Sequence, residues 1–250
     1  MTENALSGRP VIGINAGVRD IEGPGKLFLT LRTTYVDAVR AAGGIPMVVP
    51  AVEDEMLIAA HADLCDGFIF TGGPDLDPAL YGQETHDTVK GQLVEKRRQN
   101  YDLALIREVI KRKKPFLAIC LGCQEVNVVL GGTLIQDIPS VIKTDIEHSK
   151  SYSRHDVEVK PGTLLASIVG AGTILGNTSH HQSVDQIGDG AVVTSRCPVD
   201  GIIESFELTD YPFGLGLQWH PEVIHEEPTQ LEIFKALVAA ASRAEATAAV

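Results

Sequence analysis

Between Lys114 and Ile138 the chain reads KPFLAICLGCQEVNVVLGGTLIQDI. An apolar run of strand length, Pro115 to Ile119, ends on Cys120, and a helical stretch begins at once with Gly122 in its first turn. A chain passes from strand to helix without a loop only by turning sharply, and a glycine at that point leaves room for the turn. This is the geometry of a nucleophile elbow with sulfur in place of oxygen. Cys120 is expected to stand exposed above the sheet, where the positive end of the following helix favours its thiolate.

The rest of the chain reads as the scaffold such an elbow needs. Pro10 to Ile14, Ile45 to Val49 and Gly67 to Phe70 are predicted strands. Leu29 to Ala42, Glu55 to Ala62 and Arg97 to Arg112 are predicted helices, the first stopped at Gly43-Gly44 and the last carrying Tyr101, Leu105 and Val109 on one side. Strand and helix in alternation imply an α/β fold with a doubly wound, mostly parallel sheet flanked by helices. After residue 132 short β-like runs take over: Asp156 to Val159, Ala191 to Ser195, Ile202 to Leu208. These predict antiparallel strands added to the sheet in the second half, with a hairpin or two near the site. Pro228 to Ser242 reads as a closing amphipathic helix. No repeat or interdomain linker divides the chain, so 1–250 is read as one domain, with 1–8 and 243–250 expected to fray.

Most free cysteines are small core hydrophobes, so Cys120 needs partners before it reads as a nucleophile. They are found in GLGLQWHPE, residues 214 to 222, where His220 and Glu222 follow another apolar run with Pro221 fixing the turn between them. Cys, His and Glu are the parts of a nucleophile, a base and a group that orients the base. Thr71-Gly72-Gly73 follows the third strand directly, and its bare backbone can approach a substrate. With the Leu121 N–H it could form an oxyanion hole for acyl transfer. The rival reading takes Cys120 and Cys123 as a C-x-x-C redox or binding pair; it leaves Gly72-Gly73 and His220-Pro221-Glu222 unexplained. Asn177-Thr178-Ser179-His180-His181-Gln182 is a dense polar cluster, by composition a capped loop. No zinc-type ligand pattern is read: Cys65 and Cys197 are isolated, and His61, His86, His148, His155 and His225 have no ligand spacing.

The formal net charge of −12 disfavours nucleic acid as a partner. No apolar run approaches the roughly 18 residues of a membrane span, and the N-terminus MTENALSGRP is polar, so a cytoplasmic protein with reduced thiols is expected.

Four motifs, in order, resemble the class I glutamine amidotransferase-like hydrolases: FTGGPDLDPALYG (70–82), ICLGCQEVNVVLGGTLIQDI (119–138), NTSHHQSVDQIG (177–188) and LQWHPE (217–222). TTYVDAVRAAGGIPMVVP near the N-terminus also fits. Within that group the chain is most similar to the γ-glutamyl-γ-aminobutyrate hydrolase branch, allied to the γ-glutamyl hydrolase-type cysteine peptidases. The resemblance implies a flavodoxin-like fold. It also implies Cys120 as nucleophile, His220 as base and Glu222 as orienting acid, with Gly73 and Leu121 forming the oxyanion hole. Gly72, Gln124, Asn177, Ser179, His180 and His181 are implied on the substrate side. Neither cofactor nor metal is implied. The expected substrate is a small γ-glutamyl amide, in the setting of putrescine degradation, and homodimer formation is left open. Three positions depart from the branch: Leu121 stands where Arg is usual, Cys123 replaces a larger apolar residue, and Arg98-Gln99 with Asp102 replaces an Arg-Asp pair and a Glu. Two alternatives stay open: a glutaminase subunit feeding ammonia to a separate synthase, and the C-x-x-C redox or binding protein. An amine, rather than water, could also resolve the thioester.

Overall fold

The computed structural model describes residues 8–87, 93–151 and 153–248. The chain opens with β1 (Val11–Asn15) and a small ribbon of β2 (Gly17–Asp20) and β3 (Leu27–Thr30). Then come α1 (Thr33–Ala41), β4 (Ile45–Val49), α2 (Glu55–Leu64) and β5 (Gly67–Phe70). A 3₁₀ turn at Pro78–Tyr81 precedes α3 (Lys96–Lys111), β6 (Phe116–Ile119) and α4 (Leu121–Val129). The second half runs β7 (Leu134–Ile135), α5 (Ile138–Val141), β8 (Ser153–Val159), α6 (Leu164–Val169), β9 (Gly172–Thr178) and β10 (Ser183–Val184). It closes with β11 (Ala191–Arg196), β12 (Ile203–Leu208), β13 (Gly214–Leu217) and α7 (Pro228–Ala248).

The main sheet has the order β4-β1-β5-β6-β13-β12-β11-β8-β9. From β4 to β13 neighbouring strands are parallel, and from β13 to β9 they are antiparallel. The mixed sheet expected from the sequence is therefore observed, with the antiparallel strands on one side. Alternate residues of each central strand feed opposite faces. Phe68, Phe70 and Phe116 pack with Tyr101 and Leu105 on one side; Ile69, Leu117 and Ile119 pack with Leu215, Trp219 and Phe234 on the other. Because both faces are covered, these strands read as continuous apolar runs.

This topology positions the site. Strand β6 lies between β5 and β13. The three segments leaving the carboxyl ends of these parallel strands are Thr71-Gly72-Gly73, Cys120 and Trp219-His220. Ligands of open α/β sheets bind outside these ends.

One prediction is corrected. Leu29 to Ala42 is not a single helix: Leu27–Thr30 pairs antiparallel with Gly17–Asp20, and the helix starts only at Thr33, after an extended Arg32 (φ −70°, ψ 131°). Leu29 lies with Leu27 and Phe28 on an exposed ribbon, so its place in the helical spacing carried no core face. Helix α7 runs past its predicted end to Ala248. Residues 1–7 and 249–250, expected to fray, lie outside the described residues. Among the described residues no helix is long and apolar enough to cross a membrane.

Candidate active site

Among the described residues, Cys120 is one of three non-glycine residues with positive φ (φ 53°, ψ −110°). Such backbone costs about 1–3 kcal/mol and persists only where its surroundings over-determine it. Here the Cys120 N–H donates to the Leu217 carbonyl (2.8 Å), while its own carbonyl accepts the N–H groups of Cys123 and Gln124 (3.0 and 3.2 Å). The close pass of helix over strand explains Gly122: a Cβ there would lie 2.4 Å from the Phe70 carbonyl oxygen. The elbow places Cys120, 6% exposed, at the N-terminal end of α4.

His220 is held at both backbone groups by one side chain. Its N–H donates to Asn177 Oδ1 (3.1 Å), and its carbonyl accepts from Asn177 Nδ2 (3.0 Å). The preceding Trp219 is anchored by its indole N–H on Gln230 Oε1 (3.0 Å). His220 Nδ1 and Glu222 Oε1 are 2.7 Å apart, which leaves Nε2 as the ring nitrogen not bonded to Glu222. Burial opposes charge on this imidazole, but the Glu222 carboxylate and the Cys120 sulfur outweigh it, and the pKa lies well above the ordinary histidine value.

The Thr71–Gly73 loop is held from three sides. Thr71 N–H donates to Asn15 Oδ1 (2.7 Å) and Gly72 N–H to Tyr35 Oη (2.9 Å). Arg98 Nη2 donates to the Thr71 carbonyl, the Thr71 hydroxyl and the Gly72 carbonyl, all at 3.1 Å. The same guanidinium is paired through Nε with Asp102 (2.9 Å). No side chain fits at either glycine: a Cβ on Gly72 would sit 2.9 Å from His220 Cε1, and one on Gly73 2.6 Å from both Arg98 Nη1 and Leu121 Cδ2. The Gly72 N–H is thus spent on Tyr35.

Cys120 and His220 open into a cavity of about 510 Å³ with Tyr35, Gly73 and Ser179 on its wall. Arg19 and Arg32 also line it, as does Arg98, whose guanidinium is committed to Asp102 and the Thr71–Gly72 carbonyls. Arg19 and Arg32 come from the ribbon and the segment before α1, neither of which the sequence reading had assigned to a site. Tyr35 belongs to the TTYVDAVRAAGG segment, whose match to the family pattern was the signal that could have found it.

Several residues expected on the substrate side are placed elsewhere. Gln124 is 4% exposed, and its amide donates to the Gln182 carbonyl (3.2 Å) and Gln218 Oε1 (3.1 Å). Asn177 holds the His220 backbone instead of facing the cavity. His180 is buried, with Nδ1 on the Gln182 carbonyl (3.0 Å). His181 bridges two carboxylates, Nε2 to Asp75 (2.9 Å) and Nδ1 to Asp137 (3.3 Å), and the Asp75 bond leads in raising its pKa. Only Gly72 and Ser179 of that set line the cavity with Cys120. Cys123 is packed below the elbow, its thiol directed at Gln218 Oε1 (3.7 Å), and burial pushes its pKa well up.

The family model described as Peptidase C26 matches residues 10–222. A Mycobacterium tuberculosis protein whose name places it with the glutamine amidotransferases is 37% identical over 244 residues, covering 94% of this chain and 75% of the relative. Gamma-glutamyl-gamma-aminobutyrate hydrolase PuuD of Escherichia coli (strain K12) is 30% identical over 233 residues, 88% of each chain. Among solved structures, the glutaminase domain of Trypanosoma brucei CTPS with bound acivicin superposes with a TM-score of 0.60 at 14% identity, covering 94% of both chains.

Proposed function

The chain belongs to the peptidase C26 family of glutamine amidotransferase-like hydrolases, and on that premise we propose that it cleaves γ-glutamyl amides through a thioester on Cys120. The observation that carries this reading is the arrangement of His220, bonded to Glu222 and sharing one cavity with Cys120, beside a two-glycine loop.

The sulfur of Cys120 attacks the γ-carbonyl carbon, and the carbonyl π electrons move to oxygen. The resulting oxyanion meets the N–H groups of Gly73 and Leu121, which are fixed before substrate arrives and need no reorganisation. His220 carries the thiol proton and passes it to the leaving nitrogen as the C–N bond breaks. The amine departs, and the same imidazole takes a proton from water, which attacks the thioester and releases glutamate while Cys120 regains its proton. Glu222 holds the imidazole in register and balances its charge through the cycle.

The substrate class follows from the cavity. Arg19 and Arg32 line this pocket in a chain whose net charge is −12, while the charge of Arg98 is already balanced by Asp102. Such a concentration of cation suits a substrate with more than one carboxylate, one on the glutamyl part and one on the leaving amine. γ-Glutamyl-γ-aminobutyrate has this form, as its name in the bacterial relative suggests. Leu121 cannot supply the guanidinium usual at its position, but Arg19 and Arg32 bring that charge from the ribbon side.

Glutamate release from a panel containing glutamine, γ-glutamyl-γ-aminobutyrate, neutral γ-glutamyl-amines and a polyglutamate tests the proposal. Turnover of γ-glutamyl-γ-aminobutyrate or another acidic γ-glutamyl-amine, abolished by Cys120→Ser, is the expected result. Activity on glutamine alone would favour the glutaminase reading, and silence across a folded panel would sink both.

A further inference from the structure

Outside this site, four side chains from four separate segments meet in the interior. His148 comes from the loop before β8, His155 from β8, His180 from the loop after β9 and Glu204 from β12. One ligand-capable atom of each lies within 4.8 Å of all the others, and all four residues are buried.

The hydrogen bonds around the cluster fix its chemistry. His148 Nε2 meets Asp200 Oδ2 at 2.9 Å, His155 Nδ1 meets the Asp156 carbonyl at 3.0 Å, and His180 Nδ1 meets the Gln182 carbonyl at 3.0 Å. Each partner accepts: two are carbonyls, and Asp200 is a carboxylate that also takes the Thr144 hydroxyl (2.7 Å) and the Ile202 N–H (3.2 Å). The bonded nitrogen of each ring therefore carries the proton, and the other nitrogen presents a lone pair. Those lone-pair nitrogens, His148 Nδ1, His155 Nε2 and His180 Nε2, make no hydrogen bond among the described residues; neither does either oxygen of Glu204. The site is a buried set of acceptors without a donor. A proton on Glu204 could serve one nitrogen, His155 Nε2 at 3.3 Å being the nearest, and would leave the other two unserved.

We propose that His148, His155, His180 and Glu204 are the four ligands of a structural divalent transition-metal ion of the zinc type. Three imidazoles and one carboxylate suit that class of ion and do not suit calcium or magnesium, which take oxygen ligands. A tetrahedron of ligands at about 2.0–2.1 Å has edges of about 3.3–3.4 Å, and the His155–Glu204 separation already matches one. The surrounding shell also fits: every ring donates its second nitrogen to a carboxylate or carbonyl, and Asp200–His148 forms the carboxylate–histidine pair that orients a metal ligand. Glu204 and Asp200 together balance the charge of the ion. With four protein ligands there is no open position, so the ion holds structure. It would fix the 177–182 segment, which carries Asn177 under His220 and Ser179 on the cavity wall. The proposal stands independently of the reaction assigned to Cys120.

The test uses the full-length, tag-free protein, stripped with chelator and titrated separately with Zn²⁺ and Co²⁺. One equivalent should remain after desalting, with visible Co²⁺ bands of a four-coordinate nitrogen–oxygen site and a melting temperature raised by several degrees in the presence of Zn²⁺. Asp200→Asn should weaken binding about 10- to 100-fold, and Glu204→Gln should abolish the Co²⁺ spectrum. Failure of the wild-type protein to retain an equivalent of either metal would overturn the assignment. So would a thiolate-to-cobalt band, which would move the ion to Cys120, or a Co²⁺ spectrum unchanged in Glu204→Gln.

Discussion

The Tyr35 hydroxyl accepts the Gly72 N–H at 2.9 Å, and the nearby Glu222 charge acts on the same phenol, so one side chain links the glycine loop to the field of the acid behind His220. Burial and the nearby Glu222 charge hold its pKa well above the ordinary tyrosine value, and it stays a neutral phenol. Tyr35→Phe removes the acceptor and leaves a half-buried N–H unserved, at a cost of about 1 kcal/mol. Thermal melts should register that loss. In steady-state kinetics kcat should fall about tenfold or more, because the freed loop no longer fixes the Gly73 N–H. Unchanged kcat would mean that the loop is held without Tyr35.

Arg98 gives a separate handle on the same loop, because its guanidinium spans three acceptors of Thr71 and Gly72 while paired with Asp102. Removing its charge would strand a buried carboxylate, at about 3–5 kcal/mol. Arg98→Lys keeps the charge for Asp102 but has no planar fork to bridge the two carbonyls. It should lower kcat at least about tenfold with a smaller effect on the melting temperature. Equal retention of both would remove Arg98 from the account.

The elbow, the strand-helix alternation and the His220-Pro221-Glu222 turn were legible because each is local. The chemistry of Cys120 depends on Gly122 two residues on, and that of His220 on Glu222 two residues on. The roles of Tyr35 and Arg98 were not, since each acts across the sheet on a loop 26 to 37 residues away. Leu29 and Thr30, read as the start of the helix, misled because an exposed apolar ribbon and the start of an amphipathic helix share a composition. Gln124 and Asn177 are polar residues in the right motifs, yet their amides are spent on Gln182, Gln218 and the His220 backbone, which no spacing rule reveals. The His148, His155, His180 and Glu204 cluster lay beyond sequence reading for the same reason: four elements converge on it, and no two of its members share a ligand spacing.

The raised pKa of His220 has a signed consequence. A folded-state value above the unfolded 6.5 contributes stability in full below about pH 6.5, and that stability is lost as pH rises through the folded value. Glu222→Gln removes the leading counter-charge. The stability gap between wild type and this variant, read by denaturant unfolding, should be wider near about pH 6 than near about pH 9. A gap that widens with pH would contradict the assignment of Glu222 as the partner that holds the imidazolium.

Cys123 separates hydrolase from dithiol chemistry. Its thiol is buried, held up in pKa and directed at Gln218, away from the cavity wall. Cys123→Ser should keep kcat within several-fold while costing about 1 kcal/mol of stability for a hydroxyl in an apolar setting. Loss of activity with the fold intact would return the C-x-x-C reading.

Gly122→Ala probes the elbow itself. The added methyl would meet the Phe70 carbonyl at 2.4 Å, and backbone must shift to admit it. The variant should lose about 2–4 kcal/mol and nearly all turnover, since the turn that strains Cys120 can no longer close. Wild-type stability would show that the strand and helix have room to separate.

The most direct test of the central claim is to trap the acyl-enzyme. Rapid acid quench during turnover of a γ-glutamyl substrate, followed by peptide mass mapping, should place a hydroxylamine-sensitive γ-glutamyl adduct on Cys120, absent from Cys120→Ser. Turnover that persists in Cys120→Ser, or an adduct found only on Cys123, would contradict the account.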